Sequence, residues 1–293
     1  MVETRVRSSL YFILGSLCLG VIATIQVLVP ENISPLLIGA MRITGGAVTL
    51  LLWGIFTHGL PTARYWPIIP TVCAALGLIA FQMTFFAGID KAGISLGTSI
   101  PIGIVLLVSG LSAKLFYREK VSLQWIIYTI LALIGLGCII ATSSRWHTNK
   151  EAIITASIAG IGYALFLVSS KVLVRFHRAE SVMTVLFTIS AIVLFPIFFI
   201  EPFSWPGKGS TVLLSLIQFA IITTVIAFSL IGMGLKNITL SVSSTLSVAC
   251  TFMAVFLGIF FLEVHLSMQL IFGLILLLVC ITMLVRRERR NPF

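Results

Sequence analysis

Charge is what this chain has least of. Only 10% of its 293 residues are charged, against about 25% in a soluble domain, so a water-facing globule is excluded. Acids are the scarcest charges. There are nine, and they stand in tails, loops or at the ends of apolar stretches, as Glu119 and Glu263 do. No Asp, Glu or His lies deep within such a stretch. A nucleophile there has no base and a metal has no cluster of ligands, so no enzyme, cofactor or metal site is expected. The five cysteines are odd in number, fall inside apolar stretches and lack metal-ligand spacing. They read as small packing residues. No connection is long enough to hold a soluble domain.

What is there in quantity is apolar. Hydrophobic residues make up 59%, in stretches near the roughly 20 residues that cross a bilayer as a helix. Ten spans are predicted, at about 9–30, 34–57, 65–88, 92–115, 122–142, 152–173, 181–200, 209–232, 238–262 and 267–285. The first is longer than a signal-peptide core, has no convincing cleavage site and is expected to remain as a helix. With ten spans both termini share one side. Of the 19 Lys and Arg, 14 fall on that side, and Lys91, Arg145, Lys150 and Lys208 on the other, with Arg42 inside a span. Lys and Arg concentrate in cytoplasmic loops, so both termini are expected there. The net charge of +10 does not imply nucleic acid, because the basic residues are spread over short loops. The terminal Arg286–Arg290 cluster reads as a topology anchor.

The chain also repeats itself. Lys91, the small-residue run from Gly93 to Thr98, and Ser122-Leu123-Gln124 return as Lys236, the hydroxyl-rich run from Ser241 to Ser247, and Ser267-Met268-Gln269. Lys91 and Lys236, Ser122 and Ser267, and Gln124 and Gln269 are each 145 positions apart, close to half of 293. Such an offset signals duplication, which in a membrane protein points to transport. Five spans per copy is odd, so the second copy enters the membrane upside down. The expected fold is an all-α integral membrane protein of ten transmembrane helices in two inverted five-helix repeats, 9–142 and 152–285.

Several stretches resemble the drug/metabolite transporter superfamily, of the kind with two EamA-type domains. They are Met41-Arg42-Ile43, Phe81-Gln82 with Phe85-Phe86-Ala87, Gly97-Thr98 with Arg118-Glu119, and Gly234-Leu235-Lys236 with Ser244-Thr245-Leu246. The resemblance covers about residues 11–285. It implies transport, mostly export, of amino acids, metabolites or drugs, and a central site lined by spans 1, 3, 4, 6, 8 and 9. The chain departs from the family at Leu106, where a proline is frequent, at Cys250-Thr251 in place of a Glu-Pro pair, and at Val264 in place of a glutamate.

The candidate solute-binding residues are polar or aromatic groups inside spans. Arg42 is read as the one charge well inside a span. Its helical neighbours Gly39, Gly45 and Gly46 make a packing face, so it should point inward. Intramembrane charge is costly and mostly functional; the alternative is an arginine bonded to backbone carbonyls at a helix break. Gln82 shares a face with Phe85 and Phe86, a pairing that suits an amphipathic solute, and Phe81 beside it is a further candidate. Gln26 and Gln82 can equally serve interhelical hydrogen bonds. Tyr163 stands where the family often has tryptophan. Thr98 on the fourth span, and Ser244 and Ser247 on the ninth, offer hydroxyls where those helices should cross, or simply permit close packing. Pro101 is expected to kink its helix.

The expected function is export of small amphipathic metabolites such as amino acids, by alternating access in an inner or plasma membrane. Drug efflux is the second reading, and a non-transporting membrane sensor or assembly subunit the rival class. The expected partners are a small-molecule substrate and the lipid bilayer. No nucleic acid is expected, and the oligomeric state is open.

Overall fold

The computed structural model describes residues 2–27, 34–57, 66–119, 122–143, 150–200 and 210–290. Arg64, Lys120, Arg145 and Lys208, counted above for topology, and the acids Glu31 and Glu201 lie outside the described residues, as does most of the stretch joining the two copies.

The described chain is helical because lipid offers its backbone no partner, and a helix satisfies each amide internally. The helices are α1 (Val2–Val27), α2 (Pro35–Thr57), α3 (Ile68–Ala92), α4 (Ile94–Leu115), α5 (Leu123–Ala141), α6 (Lys150–Phe176), α7 (Ala179–Leu194), α8 (Ile197–Ile200), α9 (Ser210–Asn237), α10 (Leu240–Leu246), α11 (Val248–Phe261) and α12 (Met268–Arg290). With α7–α8 and α10–α11 each taken as one crossing, ten spans are long and apolar enough to cross a membrane. Large apolar side chains such as Phe56, Ile69, Phe199 and Met268 face outward, as a lipid-facing surface requires.

The helices sort into a centre and a rim. In the centre α3 packs along α6 and α1 along α9, with α4 and α10–α11 wedged beside them. The pairs α2 with α7 and α5 with α12 flank this group. The six spans expected to surround a site are therefore the central ones.

The two copies share their turns in detail. After α4, Arg118 adopts φ 50° and the Glu119 amide donates to the Ala113 carbonyl at 3.0 Å. After α11, Glu263 adopts φ 53° and the Val264 amide donates to the Gly258 carbonyl at 3.3 Å. Left-handed backbone is uncommon without glycine, yet it recurs 145 positions on. The next helix is capped alike, by the Ser122 hydroxyl accepting from the Trp125 amide and the Ser267 hydroxyl accepting from the Leu270 amide. Between α3 and α4 a single residue turns the chain, and it is Gly93, at φ 80°, where a Cβ would be strained.

Helix continuity differs between the copies. Helix α4 continues through Pro101. The interruption falls in the second copy, between α10 and α11 at Ser247, 145 positions beyond residue 102. No proline or glycine stands there. The Ser243 and Ser247 hydroxyls instead donate to carbonyls three and four residues back, a bonding pattern that bends helices.

Inversion makes a direct prediction. Single cysteines replacing exposed Arg118 and His265 should react with an impermeant thiol reagent from opposite sides of the membrane. Labelling of both from outside intact cells would refute the inverted arrangement.

Candidate functional site

Arg42 enters the protein centre from α2, seven residues past Pro35 and so about 10 Å along the helix. It is 1% exposed, so it points inward as expected. Its partner is a side chain, not the backbone at a helix break. Arg42 Nη2 donates to Gln82 Oε1 on α3 at 2.8 Å. The guanidinium lies over the Phe86 ring, 3.8 Å from its centroid, where the negative ring face attracts it.

From Phe86 a ladder of rings runs across the centre. Phe86 meets Phe85 edge-on at 5.1 Å between centroids, Phe85 meets Phe81 at 4.8 Å, and Phe81 stacks on Tyr163 of α6 at 4.7 Å. Tyr163 is fully buried, with its hydroxyl near Ser247 and Cys250 at the α10–α11 break. Gln26 on α1 shares a small cavity with Arg42. The structure therefore links Gln26, Arg42, Gln82, Phe85, Phe81, Tyr163 and Ser247 from α1 and α2 to the second copy. Phe86, placed by the sequence on the face of Gln82, also carries the arginine.

The remaining hydroxyls are turned toward backbone. Thr98 donates to the Ile94 carbonyl at 2.7 Å, Ser244 to the Ser241 carbonyl at 2.8 Å and Ser247 to the Ser243 carbonyl at 3.1 Å. Their donors are used inside their own helices. The fourth and ninth spans do cross here, joined by the Thr251 hydroxyl donating to the Thr98 carbonyl at 3.1 Å.

Lys171 is a second buried cation, near the end of its span where Arg42 is well inside its own. It sits in α6, is 5% exposed and spreads its ammonium over the end of α9. It donates to the carbonyls of Leu235 (2.5 Å), Lys236 (3.4 Å) and Ile238, groups a helix end leaves without partners. The start of α10 is held from the other side. Glu119 accepts from the Leu240 amide at 2.8 Å, the Ser241 amide at 3.0 Å and the Ser241 hydroxyl at 2.6 Å. A carboxylate at a helix N-terminus is favoured by the helix dipole. Beside it, Trp125 Nε1 donates to the Ser241 carbonyl at 2.8 Å and the Tyr117 hydroxyl to the Val168 carbonyl at 2.5 Å. Burial pushes the Tyr117 phenol up to about 12, so it keeps the proton it donates. Glu119, expected to sit in water at a span end, is instead half-buried in this clamp.

One signal in the sequence marks Lys171. Gln26-Val27-Leu28-Val29 and Lys171-Val172-Leu173-Val174 are the same register 145 positions apart. The second copy has put a cation where the first has an amide. Glu119 likewise corresponds to Val264, whose side chain lies beside Gly258, as that of Ile94 does. Among the described residues, the end of the bundle bearing Val264 has no such charged clamp. Its ion pair, Lys91 to Glu151 at 3.1 Å, is exposed and so contributes little.

The model of the EamA-like transporter family matches residues 6–141 and again 150–286. The chain belongs to the EamA-like transporter family. It is an integral membrane transporter, and the double match follows the two copies. Among curated proteins it is similar to the uncharacterized transporter YwfM of Bacillus subtilis (strain 168), 28% identical over 288 residues, covering 97% of this chain and 95% of that one. A solved crystal structure shares the fold with TM-score 0.75 at 20% identity, covering 97% of this chain and 99% of the other.

Proposed function

We propose that this EamA-family transporter is an alternating-access carrier that exports small amphipathic metabolites, amino acids among them, across an inner or plasma membrane, with both termini cytoplasmic. The observation that carries the reading is the polar and aromatic path from Gln26 and Arg42 through Gln82, Phe85 and Phe81 to Tyr163. It lies between helices of both copies, where relative movement of the copies would expose it to either side. Rings hold an apolar body and a few placed polar groups orient it. The distribution of Lys and Arg supports the orientation.

The cargo is found by comparing stable-isotope-labelled metabolites in medium and cells, with and without overexpression. A metabolite enriched in the medium on overexpression supports export; enrichment in the cells instead sinks the direction.

Coupling follows from the scarcity of acids. No Asp, Glu or His stands deep in a span, and arginine keeps its proton at any workable pH. The solute should therefore run down its own gradient. Proteoliposomes loaded with cargo are expected to release it at the same rate with and without a pH gradient. Uphill accumulation driven by that gradient and abolished by a protonophore would refute this.

A further inference from the structure

We propose that the cavity beside Arg42 is a carboxylate subsite, taking the acid group of a small solute whose apolar body rests against Ile22, Ile25, Ile38 and Ile217. This rests on the carrier reading above and deepens it, since it states what chemical group the cargo must carry.

The argument starts from unmet hydrogen-bonding capacity. A guanidinium has five N–H donors and no acceptor. Arg42 is 1% exposed, and Gln82 Oε1 takes one bond from Nη2. Nε and Nη1 are buried with no acceptor. The Phe86 ring beneath attracts the cation but is no counter-ion. Among the described residues no acid pairs with Arg42. A buried cation without an anion is costly. A protein that keeps one in a membrane-buried cavity has a donor set for an anion that arrives from outside its own sequence.

The surroundings choose the kind of anion. The cavity lies between α1, α2 and α9, is about 10 Å³ and is lined by Ile22, Ile25, Gln26, Ile38, Arg42 and Ile217. That is room for about one water, and its accessible wall is apolar, so a carboxylate enters, and meets the polar atoms of Arg42 and Gln26, only as the carrier opens. Four isoleucines and one amide beside the arginine suit an acid with an apolar body, not a strongly hydrated inorganic anion. Gln26 adds a second free group, its buried Oε1 having no donor. An amide can turn to present either of its ends, so Gln26 can donate to the second carboxylate oxygen or accept from a neighbouring polar group of the solute. Both phenylalanine and a simple organic acid carry the required group.

The test uses the full-length protein in detergent and in proteoliposomes, with 3-phenylpropanoate, its amide 3-phenylpropanamide, phenylalanine and inorganic phosphate as probes. Ligand at about ten times its Kd raises the melting temperature of a protein this size by about 2–3 °C. The expected result is a rise with 3-phenylpropanoate and none with the amide or phosphate. An Arg42-dependent rise with phenylalanine also supports the subsite and brings amino acids within its class.

The decisive variant is Gln82→Glu. It places a carboxylate of nearly the same shape on Arg42 Nη2 at the 2.8 Å contact. The fold should melt higher without ligand while 3-phenylpropanoate binding weakens by at least roughly tenfold, because the arginine has its anion already. Loss of folding cannot produce that pair of changes. Arg42→Lys keeps the charge but loses the fork, and should weaken binding by roughly tenfold.

An equal rise with acid and amide, a rise with phosphate, no rise with any carboxylate, or undiminished binding in Gln82→Glu would each overturn the proposal. Counterflow separates it from the carrier reading. A carboxylate that binds through Arg42 but is never moved sinks transport of that solute and leaves the subsite. A cargo moved equally well by the parent and by Gln82→Glu sinks the subsite and leaves the carrier.

Discussion

Lys171→Met should lower the melting temperature by about 10 °C. The substitution keeps the length and apolar stem of the side chain and removes its ammonium. The carbonyls of Leu235, Lys236 and Ile238 then end α9 with no side-chain donor. A carbonyl left buried without its donor costs about 1–3 kcal/mol, three are left here, and in a chain of this length each kcal/mol moves the melting temperature by about 1.5–2 °C. Glu119→Gln should cost less, about 2 kcal/mol, because its one oxygen replaces only one of the two carboxylate oxygens that the Leu240 and Ser241 amides bond, and its NH2 group cannot accept from the other. Fluorescence melting of the purified proteins checks both. A Lys171→Met protein that melts within about 2 °C of the parent would show that the clamp holds nothing.

Gly77→Leu should leave little or no folded protein, and Gly77→Ala should already cost about 3 kcal/mol. A Cβ at Gly77 would stand 2.6 Å from the Phe166 backbone nitrogen and 2.7 Å from the Gly162 carbonyl oxygen. Both are backbone atoms, so no rotamer change relieves the clash and α3 must part from α6. That separation would also pull Phe81 off Tyr163. Gly137→Ala is the control with the opposite sign. Nothing lies within 4 Å of a Cβ at Gly137, so alanine should stabilise α5 by about 0.5–1 kcal/mol through its helix propensity. Size-exclusion recovery and melting temperature read both variants. Equal behaviour of Gly77→Ala and Gly137→Ala would refute the close-approach argument.

The fold was legible where membrane physics leaves one solution. A run of about 20 apolar residues must be a helix, so the number and order of the spans follow from hydropathy. Helix ends do not, because hydropathy reads the thickness of the hydrocarbon and not the length of the helix. Helix α1 begins at Val2 and α6 runs from Lys150 to Phe176, beyond the predicted spans at 9 and at 152–173, since their charged ends continue helically into water. Ser247 shows the converse. A break made by serine hydroxyls bonding to carbonyls looks, in sequence, like small-residue packing.

The candidate site was legible in part for a similar reason. Arg42 and Gln82 declare themselves as polar groups in apolar helices, but a bond across 40 positions depends on how α2 and α3 pack. Thr98 and Ser244 look like offered hydroxyls, and only the structure shows their protons on nearby carbonyls. Lys171 was hidden by its position. Near a span end, a lysine is expected to snorkel to the interface, and nothing local says that this one turns inward.

The clamp also bears on how the two halves of the gene can evolve. Related sequences within one gene can be made alike again by gene conversion, and here that would be harmful at specific codons. Copying the first half over the second would place glutamine at Lys171 and strip α9 of a donor to three carbonyls. Copying the second over the first would place valine at Glu119 and uncap α10. Each half therefore carries a residue that serves the helix junction of the second, so the halves must drift apart in register and cannot be homogenised without loss of the clamp.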